Sequence, residues 1–115
     1  MTRIIPDEDL INSPCSVVAV TMAKRKRGEE PIGYPLLRED GYASLYVSNQ
    51  YIRLNFPVKK RTDYKKADRP KLKDLHIEKT AIVCVLGHLI YVDGDTYYSF
   101  FDNNEDSVVA VWELK

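Results

Sequence analysis

The sequence has few cysteines, few histidines and no long apolar segment, and each shortage excludes a class of protein. Two cysteines in 115 residues can form at most one disulfide bond, which is not the framework of a small secreted domain. These cysteines and the two histidines lack the spacing of a zinc motif, so we expect no metal and no cofactor. No apolar run approaches the roughly 20 residues that span a bilayer, and the N-terminus is too acidic for a signal peptide. We therefore expect a cytoplasmic protein that does not enter a membrane.

The length and composition are those of one globular domain over residues 1–115. The net charge is zero, but the charges are segregated. Residues 1–23 carry one basic against three acidic side chains (net −2), residues 24–73 carry 14 against six (net +8), and residues 74–115 carry two against eight (net −6). A basic middle could attract a charged partner, although basic loops packed beside acidic hairpins would cancel the charge. No basic-and-aromatic module accompanies the charge, so a nucleic-acid partner is not expected.

Two helices are predicted in the first half of the chain. Ser13 is a good N-cap and Pro14 suits the first helical position, so the first helix is expected over residues 14–24. Its apolar character on nearly every side predicts a buried helix, although its β-branched residues make a strand the competing interpretation. Asp40 is a plausible N-cap for a second helix over residues 41–55.

The second half predicts strands. A continuous apolar run over residues 80–86 is typical of a strand buried on both faces. Three further strands are predicted after it, over residues 88–92, 97–101 and 108–114. Before it, the basic segment 58–64 predicts either a short strand or a loop. Helices followed by an antiparallel meander predict an α+β fold in which N-terminal helices pack on a C-terminal antiparallel sheet.

Cys15 is the first candidate for chemistry. As the second residue of the predicted helix, it would lie among backbone N–H groups that have no helical partner. Such a position favours the thiolate form of a cysteine and also provides donors for an oxyanion. The competing interpretation is a small apolar side chain at the edge of the core.

His88 and an acceptor on the next strand complete the candidate site. Histidine is the usual general base for a cysteine nucleophile, and a third group must then orient its ring. A three-residue loop after residue 93 would put His88 opposite Asp102. A two-residue Asp-Gly turn would instead put His88 opposite Ser99. We favour Asp102, because a carboxylate is the better partner for an imidazolium, while a hydrogen-bonded structural role for His88 is the alternative.

The chain resembles the papain-like superfamily of cysteine peptidases, in particular its compact bacterial and phage members. The resemblance rests on a cysteine at an early helix, a Gly-His that opens a strand and an Asp on the next strand, in segments 12–16 and 87–102. It implies a papain-like fold and a cysteine hydrolase or acyl-transferase that acts on a protein or peptide. Within that resemblance Cys15 is the nucleophile, His88 the general base and Asp102 the residue that orients His88.

One feature departs from the family pattern. Papain-like hydrolases usually have a Gln a few residues before the cysteine, and residues 7–12 contain none. Asn12 is the candidate that could donate to the oxyanion in its place. The alternative function is therefore a catalytically inactive papain-like binding protein that inhibits a host protein, for instance through the basic surface of residues 24–73.

Overall fold

The computed structural model describes residues 1–115 as two α-helices and a six-stranded sheet. Helix α1 spans Cys15–Lys26 and helix α2 spans Leu45–Asn55. The strands are β1 (Thr2–Ile4), β2 (Val58–Asp63), β3 (Thr80–Val85), β4 (His88–Asp93), β5 (Thr96–Tyr98) and β6 (Val108–Leu114). The α+β class is thus confirmed, with both helices ahead of the main strands.

The sheet differs from the predicted antiparallel meander. Its strand order is β1-β5-β4-β3-β6-β2, and β1 pairs in parallel with β5 while every other pair is antiparallel. Strands β3 to β5 form a meander, but β6 crosses back to pair with β3. The reason is that β6 is buried on both faces, and an edge position after β5 would have exposed it.

Both faces of the sheet are covered, which explains the continuous apolar runs in β3 and β4. The two helices pack on one face, where Val20 and Ile52 join a core with Leu89 and Trp112. Irregular chain between β2 and β3 covers the other face, where Leu72 is fully buried. The sheet therefore holds the start of α1 beside the ends of β3 and β4, where the candidate residues lie.

Helix α1 begins one residue later than predicted. Pro14 occupies the N-cap position, Cys15 is the first helical residue, and the Ser13 side chain makes no capping hydrogen bond. Proline has no side-chain acceptor, so the first turn of α1 is left without a cap.

Helix α2 begins four residues later than predicted, because a different residue caps it. The Ser44 hydroxyl accepts a hydrogen bond from the Val47 N–H at 3.1 Å. Asp40, the predicted cap, instead accepts from the Tyr42 N–H at 3.1 Å and pairs with Arg38 at 2.9 Å. These contacts order the loop before α2 and use the carboxylate that the helix would have needed.

Candidate functional site

Two cavities of about 560 and 700 Å³ meet at the start of α1. Both are lined by Cys15, His88 and Leu89 from the helix and sheet, and by Asp40 and Tyr42 from the loop before α2. Because they share these residues, the cavities form one groove, which we call the thiol groove. Two residues far apart in the sequence, Cys15 and His88, thus face a common space.

The start of α1, where Cys15 and Ser16 line the thiol groove, has backbone donors that are free. The N–H groups of Cys15, Ser16 and Val17 have no acceptor in the chain, and the first bonded amide is that of Val18, which donates to the Pro14 carbonyl at 3.0 Å. Free amides at a helix start, together with the helix dipole, favour an anion or a polarised carbonyl oxygen.

The side chain after the thiol adds an unusual feature. The Ser16 side chain is 1% exposed, its hydroxyl has no hydrogen-bond partner, and the residue lines the smaller cavity. Buried hydroxyls normally find a partner, and an unpaired one is unfavourable. The first turn of α1 therefore carries unused donors in both its backbone and its side chains.

His88 is half-buried at the start of β4, and its Nε2 lies 3.2 Å from the Ser99 hydroxyl. Its Nδ1 makes no hydrogen bond, and none joins the ring to the Cys15 thiol. The Phe101 ring meets the imidazole edge-on, with the ring centroids 5.7 Å apart. Burial lowers the pKa of His88, and the negative charge of Asp106 opposes this only in part. The imidazole is therefore neutral near pH 7, the form that can accept a proton.

Asp102 makes no hydrogen bond with His88, so the favoured orienting residue was wrong, and the Ser99 hydroxyl lies beside the ring instead. The Asp102 carboxylate accepts from the Tyr97 hydroxyl and from the Asn104 N–H, both at 3.1 Å. These contacts lower the pKa of Asp102, with the backbone N–H of Asn104 contributing most. The Asp102 carboxylate therefore stabilises its own loop.

Neither predicted register between β4 and β5 occurs, because the turn between them differs from both predicted turns. The loop between β4 and β5 has two residues, Gly94 and Asp95, with Gly94 at φ 59°, a left-handed conformation that glycine adopts readily. Strand pairing then ends at Tyr98. The Ser99 N–H still bonds to the Ile4 carbonyl of β1 at 3.1 Å, and the chain bends at residues 100–101. Extending the observed register would put His88 opposite Phe101, so Ser99, two residues away on the same face, is its diagonal neighbour.

Asn12 lies in the turn before α1. It is exposed and lines the larger cavity, and its side chain makes no hydrogen bond. It thus borders the thiol groove, and its donation to an oxyanion stays a prediction.

Cys84 lines the smaller cavity together with Cys15, which sequence reasoning did not anticipate. Pairing with Leu89 in the sheet directs Cys84 toward the helix-covered core. Burial raises the pKa of Cys84 to about 11, with a smaller contribution from the nearby Cys15 thiol. A thiol of that kind is a poor nucleophile near neutral pH.

Sequence reasoning also missed a series of buried, hydrogen-bonded polar side chains behind His88. The Ser99 hydroxyl donates to Asn103 Oδ1 at 2.6 Å, and Asn103 Nδ2 donates to Asp106 Oδ2 at 2.7 Å. Ser99 is 1% exposed and Asn103 is 5% exposed. The sequence showed only a polar turn over residues 102–106. The one sequence signal for Ser99 was the alternative register, which would have put it opposite His88 and which does not occur.

Comparisons of the chain with protein-family models, with curated proteins and with solved structures found no match. Neither helix has the length and apolar character needed to cross a bilayer. No three His, Cys, Asp or Glu side chains gather where they could hold a metal ion. The functional interpretation therefore depends on the geometry of the thiol groove.

Proposed function

We propose that the chain is a papain-like cysteine hydrolase or acyl-transferase in which Cys15 is the nucleophile and His88 the general base. The observation that carries the proposal is that both residues line the thiol groove, at a helix start whose first three amides are free. Helix α1, which carries the thiol, packs against strand β4, which carries the imidazole, and this packing supports the proposed papain-like arrangement.

The proposed reaction transfers an acyl group to sulfur. Nδ1 of His88 takes the thiol proton while Cys15 sulfur bonds to the carbonyl carbon of an amide or ester, and the C=O electron pair moves onto oxygen. The free amides of α1 hold the resulting oxyanion. When the carbonyl re-forms, the C–N or C–O bond breaks and the leaving group takes the proton from His88. Water, or another acceptor, then gives a proton to His88 as it attacks the thioester carbon; the C–S bond breaks, and the Cys15 sulfur takes the proton back from His88.

The hydrogen bonding of the imidazole supports the assignment of His88 as the general base. Nε2 is engaged by Ser99, which leaves Nδ1 as the nitrogen available to a thiol. A neutral ring near pH 7 can accept the thiol proton without first losing one of its own. Asp102, which accepts a hydrogen bond from Tyr97, has no part in the proposed reaction.

The test uses p-nitrophenyl acetate and protein in which Cys84→Ala leaves Cys15 as the single thiol. We expect a burst of nitrophenol and one acetyl group on Cys15, detected by mass spectrometry of the intact protein and its peptides. Cys15→Ala should abolish the burst, and His88→Ala should slow it by about 100-fold or more. Equal nitrophenol release from the Cys15→Ala protein would overturn the proposal.

A second candidate is a catalytically inactive binding protein on the same scaffold. It is favoured by one observation, that the group next to His88 is a hydroxyl and no carboxylate contacts the ring. A partner protein would then occupy the thiol groove without reacting. Cys15→Ala separates the two candidates, because a binding function survives that change and acyl transfer does not.

A further inference from the structure

The hydrogen bonds behind His88 have only one consistent direction. The Asp106 carboxylate accepts hydrogen bonds and cannot donate, so Asn103 must turn its NH₂ group toward it, at 2.7 Å. The amide oxygen of Asn103 then faces Ser99 and can only accept. The 2.6 Å contact between them therefore takes the single proton of the Ser99 hydroxyl.

The remaining capacity of the Ser99 hydroxyl fixes the tautomer of His88. A hydroxyl has one proton and two lone pairs. The Phe101 N–H occupies one lone pair at 3.1 Å, and His88 Nε2 lies 3.2 Å from the same oxygen. With the hydroxyl proton already used on Asn103, the contact is a hydrogen bond only if Nε2 carries a proton.

We propose that Ser99, Asn103 and Asp106 are positioning residues that hold His88 as the Nε2–H tautomer and keep Nδ1 free for the Cys15 thiol. The use of that tautomer in catalysis rests on the proposed function, whereas the tautomer itself does not. None of the three residues touches the reacting atoms. They determine where the ring proton lies, as the carboxylate does in a serine protease triad.

The burial of these hydrogen-bonded side chains explains why their hydrogen bonds can run in only one direction. Ser99 and Asn103 are almost fully buried, so water cannot replace a lost partner, and each reversal would leave an acceptor facing an acceptor. The segment is also tied down from outside, since the Leu72 N–H donates to the Asp106 carbonyl and the Lys73 N–H to the Asn104 carbonyl, both at 3.0 Å. The backbone that carries Asp106, the last acceptor of the series, is therefore held in place.

The first measurement needs no substrate and no variant. Nitrogen-15 NMR of the two histidines, at a pH where the rings are neutral, reports which ring nitrogen carries the proton. We expect His88 to be entirely the Nε2–H form, with exposed His76 as the internal reference for a ring free to exchange. An Nδ1–H ring at His88 would overturn the proposal.

Variants then test the role of the terminal acceptor. Asp106→Asn keeps the shape but presents an amide that can turn either its oxygen or its NH₂ to Asn103, so the direction is no longer imposed. We expect the Nδ1–H form to appear at His88 and acetylation of Cys15 to slow by about 10-fold, the scale found for outer partners that orient a histidine. Asp95→Asn, at an exposed turn residue, should change neither quantity. Fluorescence of Trp112 confirms that each variant is folded.

The outcomes separate this inference from the proposed function. An unchanged tautomer in Asp106→Asn, or a larger loss of acetylation in Asp102→Asn than in Asp106→Asn, would overturn the positioning role. If wild-type Cys15 is never acetylated, the proposed function fails. A tautomer that responds to Asp106→Asn would still support the positioning inference.

Discussion

At the scale of single residues, the two thiols differ although they border one cavity. Cys15 lies at a helix start among free amides, whereas Cys84 lies in the sheet and donates to the Val85 carbonyl at 3.4 Å. Desolvation opposes the thiolate of Cys84, and the neighbouring Cys15 would oppose it further if ionised. The difference arises from position in the fold.

Iodoacetamide should therefore distinguish the thiols in the native protein. With a pKa of about 11, roughly one Cys84 in 1,000 is a thiolate at pH 8, so Cys84 should stay unmodified while Cys15 reacts. Peptide mass spectrometry over time measures both rates in one sample. In urea, where burial is lost, the rates should converge; native rates that are already equal would contradict the burial argument.

His88 should make stability depend on pH. Its folded-state pKa lies below the unfolded value of 6.5, so below that pH the unfolded chain binds a proton that the folded chain resists. The contribution of His88 to stability is thus present above about pH 6.5 and is lost as the pH falls through the lower folded-state pKa.

The measurement compares urea unfolding of the wild type and of His88→Gln between pH 7.5 and 5. We expect the free energy of unfolding to fall more steeply in the wild type, because the variant has no ring to protonate. His76→Gln, at an exposed position, controls for loss of a histidine as such. Parallel curves for the wild type and His88→Gln would contradict the prediction.

At the scale of elements, capping decides where each helix begins, and the sequence offered the wrong caps. Ser13 and Asp40 both have suitable side chains, yet neither caps a helix. Ser44 caps α2 instead, because Asp40 already bonds to Tyr42 and Arg38 within the loop. Competition for a side-chain acceptor is a local contact that the sequence pattern does not reveal.

A pair of serine variants tests these assignments. Ser44→Ala should lower the free energy of unfolding by about 1 kcal/mol, the usual effect of removing an N-cap. Ser13→Ala should change it by less than about 0.5 kcal/mol, because that hydroxyl caps nothing. Urea unfolding followed by fluorescence of the single, buried Trp112 measures both. A larger loss in Ser13→Ala than in Ser44→Ala would reverse the two assignments.

The strands show what periodicity can and cannot predict. The apolar runs located β3, β4 and β6 to within a residue or two, since strands buried on both faces leave a strong signal. The pairing of β6 with β3 was missed because it depends on where β6 can be buried. Strand β1 was missed because three exposed residues carry no pattern. Asp102 was favoured over Ser99 because a carboxylate is the better partner for an imidazolium, and neither predicted register had the two-residue loop of Gly94 and Asp95.

At the scale of the whole molecule, the segregated charges neutralise one another in part, where basic and acidic segments meet. Arg25 of the basic middle pairs with Asp7 and Asp9 of the acidic N-terminus, each at 2.9 Å. Lys71 and Lys73 both contact Glu105 of the acidic C-terminal part at 2.8 Å, and the pKa of Glu105 falls to about 2, chiefly through hydrogen bonds from these lysines. Basic segments packed beside acidic ones thus use part of the charge internally, which argues against an extended surface for binding a polyanion.

Binding to nucleic acid should therefore be weak and controlled by salt. Unpaired lysines remain on β2 and after it, notably Lys59, Lys60 and Lys65, and could neutralise a few phosphates. We expect a fluorescent DNA duplex to bind measurably at 50 mM salt and to be released at 200 mM, because counterion release dominates such contacts. Fluorescence anisotropy measures this. Lys59→Glu/Lys60→Glu should remove the low-salt binding, since it reverses two of the free charges. Binding that persists at 200 mM salt in the wild type would contradict the prediction and mean that the basic middle is a specific nucleic-acid surface.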